Sequence, residues 1–154
     1  MPQDRVRIIK DEKTRFKLKK SLNVGISFQE NSVLINGEGI DLYQAKNIVK
    51  AIGRGFSPNN AFRLLNEDEM LETIDLNEFS KNKLRIVKAR LIGTNGKTWK
   101  TIEKFSGCSL SIYGKTVSLI GNYEQLKIAK EAVEMIIRGC KHSKVYNFLY
   151  QAKL

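Results

Sequence analysis

The sequence predicts an α+β protein built from two related modules, roughly residues 1–65 and 66–154. Three observations carry that expectation. The chain matches itself at a constant spacing: Ala45 and Ala129, Val49 and Val133, Ile52 and Ile136, and Arg54-Gly55 and Arg138-Gly139 all stand 84 residues apart. Val33 and Val117, Gly37 and Gly121, and Leu18, Val24 and Ile26 against Ile102, Cys108 and Leu110 hold the same spacing. The matches are mostly apolar or glycine, and a register kept from Leu18 to Gly55 implies two copies of one fold. The second copy then shows a clear element order, which is strand, helix, Gly-x-x-Gly, helix, strand, strand, helix. That order suits helices packed on one face of a three-stranded antiparallel sheet. Finally, 154 residues with 42% hydrophobic content suffice for two small packed cores.

Each element of the second copy has its own signal. Leu71–Phe79 reads as a short strand, although its apolar alternation is mixed. In KNKLRIVKARLIG, Leu84, Val87 and Leu91 recur at spacings of three and four, one face of a helix. After Gly93-Thr94-Asn95-Gly96, a second helix carries Trp99, Ile102 and Phe105 on one side, and Gly107 ends it. CSLSI and VSLI alternate as strands around the turn Tyr113-Gly114-Lys115-Thr116. Asn122 with Gln125 three residues later opens the closing helix as a capping box. That helix turns Leu126, Ala129, Val133, Ile136 and Ile137 inward and stops at Gly139.

Charge gives the first indication of function. Lys+Arg number 27 against 16 Asp+Glu, a formal net charge of +11. Such an excess repels itself in the folded state and points to a polyanionic partner. No apolar run approaches the roughly 18 residues that a membrane span needs, and MPQDRVRIIKDEK has no signal-peptide stretch. A cytoplasmic protein with no membrane partner is expected. Cys108, Cys140 and the single His142 lack a metal-ligand spacing, so no metal or cofactor is expected and the thiols are read as free.

The loop Gly93–Gly96 is the candidate site. Two glycines bracketing two polar residues let a turn approach a sugar-phosphate backbone without Cβ collisions. The helix that begins there aims its free N–H groups and dipole at the same place. Lys97, Lys100 and Lys104 add positive charge along that helix, and Arg85, Lys88 and Arg90 add it along the preceding one. A clamp on about four nucleotides of single strand requires these features.

LIGTNGKTWKTIEKFSGCSLSIYGKT resembles the KH signature, in which Ile-Gly-x-x-Gly is followed at fixed spacings by Ile-Glu, Gly and alternating apolar residues. The segments IGRGFSP, YGKTVSLIGNYEQ, AKEAVEMIIRG and KVYNFL are similar to the archaeal and eukaryotic two-KH ribosome-biogenesis family, the Partner-of-Nob (dimethylase-interacting) proteins and their Krr relatives. The resemblance is strongest from Ala51 to Leu149. It implies two tandem KH modules of type I. It also implies binding of single-stranded RNA near the 3′ end of small-subunit ribosomal RNA during its maturation, and cooperation with the Nob endonuclease that cuts there. Carried over by position, the RNA-binding residues would be Gly93, Thr94, Asn95 and Gly96, with Lys97 beside them. Lys115 falls in the strand–strand turn that rims the RNA groove in this architecture.

The first copy departs from that pattern. The spacing of 84 places Ile9-Lys10-Asp11-Glu12 opposite the loop, with no glycine and two acids. A counterpart to the strand at 71–79 would fall before residue 1. The N-terminal module is therefore expected to be degenerate, to lack its first strand, and not to clamp RNA through this loop. Arg54, between Gly53 and Gly55, is either a basic contact or part of a helix cap leading to the Ser57-Pro58 turn.

Other residues carry two readings each. Trp99 could stack on a base, but its shared face with Ile102 and Phe105 favours core packing. His142 reads as structural, and the tail Val145–Leu149 as docking on the protein's own surface. An enzyme is disfavoured, with no catalytic residues expected: the densest acidic run, Glu67-Asp68-Glu69, lies at the module junction away from the loop. The alternatives to an RNA-maturation factor are a protein-binding scaffold and a general single-stranded RNA binder.

Overall fold

The computed structural model describes residues 1–152. Contacts divide the chain into two compact units, Met1–Glu67 and a second beginning at Asp68.

The first unit opens with helices α1 (Gln3–Lys10) and α2 (Glu12–Ser21), followed by strands β1 (Gly25–Gln29) and β2 (Ser32–Asn36). Helix α3 (Gly39–Gly53), the single turn α4 (Pro58–Ala61) and a 3-10 turn (Phe62–Leu65) complete it. Strands β1 and β2 pair antiparallel with Ile26 opposite Ile35 and Phe28 opposite Val33, and they form a sheet of two strands among the described residues.

The second unit runs β3 (Met70–Asp75), α5 (Lys81–Ile92), a 3-10 turn (Thr94–Gly96), α6 (Lys97–Ser106), β4 (Ser109–Tyr113), β5 (Thr116–Gly121), α7 (Tyr123–Ile137) and α8 (His142–Ala152). Its antiparallel sheet has the order β3-β5-β4, with Ile74 and Ile112 both opposite Val117. Val87 and Leu91 from α5, Ile102 from α6, Val117 and Leu119 from β5, and Val133 and Ile136 from α7 form one buried core. Trp99 and Phe105 pack against it, so the core role favoured for Trp99 is the one observed.

Two expectations need correction. The strand anticipated over Leu71–Phe79 ends at Asp75, because the Asp75 carboxylate accepts the Asn77 N–H at 2.8 Å and turns the chain. Leu76, 1% exposed, then drops into the core. The tail also continues as helix α8, whose Val145 and Leu149 are fully buried. Docking on the protein's own surface is therefore correct, but the element is a helix.

The repeat appears as structure. Strands β1 and β4, and helices α3 and α7, have identical bounds when shifted by 84. Both long helices end alike: the Phe56 N–H donates to Ala51 O and Gly55 N–H to Ile52 O, and the Cys140 and Gly139 N–H groups donate to Met135 and Ile136 O. Gly55 and Gly139 take φ of +102° and +94°, which closes each helix in a left-handed cap. At the other end of α7 the capping box is complete, with Gln125 N–H on Asn122 Oδ1 at 2.9 Å and Asn122 N–H on Gln125 Oε1 at 3.0 Å. Replacing Asn122 with Ala is expected to lower stability by about 1 kcal/mol. A lower denaturant midpoint at unchanged slope would show it.

Candidate nucleic-acid interface

The loop between α5 and α6 follows from three residues outside the ordinary backbone regions. Gly93 takes φ +74°, ψ 176°, Asn95 φ +53°, ψ 30°, and Gly96 φ +72°, ψ 15°. Asn95 is the only described non-glycine residue with positive φ, and asparagine tolerates that conformation better than most. Gly96 N–H donates to Gly93 O at 3.2 Å and closes the turn. A Cβ at Gly93 would collide with the Thr98 side chain and lie 2.9 Å from the Thr98 backbone nitrogen, whereas a Cβ at Gly96 would meet only Lys100 Cε at 3.8 Å. The first glycine is thus required by space and by dihedral, the second by dihedral alone.

Thr94 and Asn95 are exposed at the tip. They join Lys97, Lys100, Thr101 and Lys104 around an open hollow of about 650 Å³. The lysines at 97, 100 and 104 recur at spacings of three and four and share one face of α6. Among the described residues, no acid lines this hollow. Helix α6 has glycine as its N-cap and no side-chain cap, so its positive end is presented to an incoming anion.

In the first unit the corresponding place is filled from within. Asp11 caps α2, and its carboxylate accepts the Thr14 N–H at 3.4 Å. Thr14 stands 84 residues before Thr98, and both are buried. An internal carboxylate thus caps this helix start, whereas its counterpart in the second unit has no side-chain cap.

The remaining candidates separate. Lys88 Nζ donates to Gly114 O at 3.0 Å, which brings it to the β4–β5 turn where Lys115 is exposed. Arg90 instead points to the end of α7, donating to Ile136 O at 2.8 Å and to Cys140 O. Arg5 makes the same fork in the first unit, onto Ile52 O and Phe56 O at 2.7 Å each. Those carbonyl pairs are repeat equivalents, so the fork is a fold element shared by both units. Arg90→Met is expected to cost about 1.5–3 kcal/mol through loss of these charged hydrogen bonds, read as a lower denaturant midpoint. Arg54 is the C-cap residue of α3, in the first unit.

Sequence reasoning missed the support behind the loop. His142 Nε2 lies 2.9 Å from Arg90 O, and the Tyr146 hydroxyl lies 2.9 Å from Thr98 Oγ1. Lys97 Nζ sits 5.9 Å from the Tyr146 ring centre. Recognising KHSKVYNFLYQA as a helix would have placed His142 and Tyr146, four residues apart, on one face. Cys108 and Cys140 are not joined in a disulfide. Among the described residues no group of three or more His, Cys, Asp or Glu is placed to hold a metal ion, and no helix is long and apolar enough to cross a membrane.

Comparisons with known proteins point to one family. Residues 70–153 match the second-KH-domain model of the Partner-of-Nob proteins, described as a eukaryotic type KH-domain (KH-domain type I). A KH domain-containing protein of Methanocaldococcus jannaschii is 39% identical over 97% of this chain and 70% of its own length. The RNA-binding protein pno-1 of Caenorhabditis briggsae is 32% identical over 71% of this chain, which spans 41% of that longer protein. A chain from the crystal structure of the a/eIF2alpha–aDim2p–rRNA complex of Pyrococcus horikoshii superposes with a TM-score of 0.91 at 41% identity, covering 99% of this chain and 90% of that one. This chain belongs to the Partner-of-Nob (Dim2p) family of KH-domain proteins.

Proposed function

We propose that the protein binds single-stranded RNA at the 3′ end of small-subunit ribosomal RNA during maturation of that RNA, and assists the Nob endonuclease there. The carrying observation is the loop Gly93–Gly96, an uncapped helix start opened by two left-handed glycines and bordered by Lys97, Lys100 and Lys104. The names of the relatives support the same direction, since one is called an RNA-binding protein and another was crystallised with rRNA. Backbone amides and lysines of the second unit hold phosphates, which positions the strand. The exposed Thr94 and Asn95 let the sugar-phosphate chain come close to the turn. The first unit does not grip through its equivalent loop, because Asp11 already caps α2.

Fluorescence-anisotropy titration of an oligonucleotide from the rRNA 3′ end, over a series of salt concentrations, tests this function. Affinity should fall by roughly 0.7 log units per log unit of salt for each phosphate neutralised on a single strand. A flat salt response, or equal affinity for an unrelated duplex, would count against it.

A further inference from the structure

We propose that helix α8 is a strut that sets the shape of the Gly93–Gly96 loop, with Tyr146 and His142 as its positioning residues. Its consequence for affinity rests on the RNA-binding function above. The helix is anchored by Val145 and Leu149, both fully buried. One face then reaches both flanks of the loop. On the upstream side, Arg90 O lies in the last turn of α5, where helix carbonyls lack an intrahelical partner. A carbonyl only accepts, so His142 donates from Nε2 across the 2.9 Å separation. On the downstream side, the Tyr146 hydroxyl meets Thr98 Oγ1 at 2.9 Å. Thr98 is 2% exposed, and it is the residue a Cβ on Gly93 would strike. The rings of His142 and Tyr146 lie 6.1 Å apart and 20° from parallel, so each limits the other's motion.

The internal repeat supplies a comparison within the same chain. At the spacing of 84, Phe62 stands where Tyr146 does and Pro58 where His142 does, while Thr14 corresponds to Thr98. The first unit keeps the apolar body of the strut, with Ala61 and Phe62 buried. It lacks both polar groups, and it also lacks the glycine loop. The hydroxyl and the imidazole therefore occur only in the unit whose loop must hold three residues at positive φ.

The test uses the full-length chain with Tyr146→Phe, Thr98→Val and the double variant. Tyr146→Phe keeps the ring over Lys97 and beside His142 and removes only the oxygen. Amide hydrogen exchange of Gly96, whose N–H closes the turn, should quicken by about three- to tenfold, the effect of one lost hydrogen bond. Amides of β5 should keep their wild-type rates. The double variant should be no worse than either single one, because both remove the same bond. RNA affinity should fall by a similar about three- to tenfold factor at unchanged salt slope. An unchanged Gly96 rate, or fully additive single effects, would overturn the strut. A loosened loop with wild-type affinity would overturn its role in RNA binding. A wild-type protein that does not bind the rRNA oligonucleotide would remove the RNA function, and the exchange rates would still decide the strut.

Discussion

Gly93→Ala is expected to destabilise the protein by about 2–6 kcal/mol, more than Gly96→Ala. Two effects add at Gly93. Its dihedrals, φ +74° with ψ 176°, lie in a region that only glycine populates readily, which costs a side chain about 1–3 kcal/mol. The new methyl group would also press on Thr98, whose backbone nitrogen lies 2.9 Å away. Thr98 is 2% exposed, so it has little room to yield, and overpacking of this kind costs about 1–3 kcal/mol. Gly96 carries only the left-handed penalty of roughly 1–2 kcal/mol, with open space around its Cβ position. Denaturant midpoints of the two variants measured side by side check this ordering. Equal losses would mean that Thr98 does not hold the turn as described.

The second large effect concerns RNA. Thr94→Asp with Asn95→Asp should weaken binding of the rRNA oligonucleotide by about 30-fold or more while leaving stability within about 0.5 kcal/mol. Both side chains are exposed, and aspartate tolerates the left-handed conformation of Asn95 much as asparagine does. Folding should therefore survive. The net charge falls from +11 by two, to +9, and both new carboxylates stand at the tip where phosphate would approach. At about 6 Å and an effective dielectric near 20, one such repulsion approaches about 2–3 kcal/mol before screening. Anisotropy titration checks the affinity, and thermal unfolding checks the fold.

The loop itself was legible because its chemistry is local. Gly93, Gly96 and the three lysines of α6 declare themselves by residue type and spacing, and the left-handed dihedrals follow from the glycines. The long helices were legible for the same reason, with Asn122-Gln125 and Gly139 marking the two ends of α7. What the sequence concealed was long-range. Arg90 looks like another basic residue beside the loop, but its guanidinium binds Ile136 and Cys140, 46 and 50 residues away. The matching fork from Arg5 does not fall on the spacing of 84. Arg5 and Arg90 are 85 residues apart, whereas Thr14 and Thr98 are 84 apart. The register therefore slips by one residue across the link between the first two helices of each unit. Asp75 ends β3 earlier than apolar alternation suggests, because its side chain bonds the backbone two residues on. Helix α8 was hidden by its lack of capping signals, and with it the contacts from His142 and Tyr146.

On the proposed function, the second unit grips RNA through Gly93–Gly96 and the lysine face of α6, and the equivalent loop of the first unit does not. Amide NMR spectra recorded while the rRNA 3′-end oligonucleotide is titrated into isotope-labelled protein test it most directly. The largest shifts are expected at Gly93, Thr94, Asn95, Gly96 and Lys97, continuing to Lys100 and Lys104, with Ile9, Lys10, Asp11 and Glu12 unmoved. Saturable binding that left the Gly93–Gly96 amides in place, or moved those of Ile9–Glu12 instead, would contradict it.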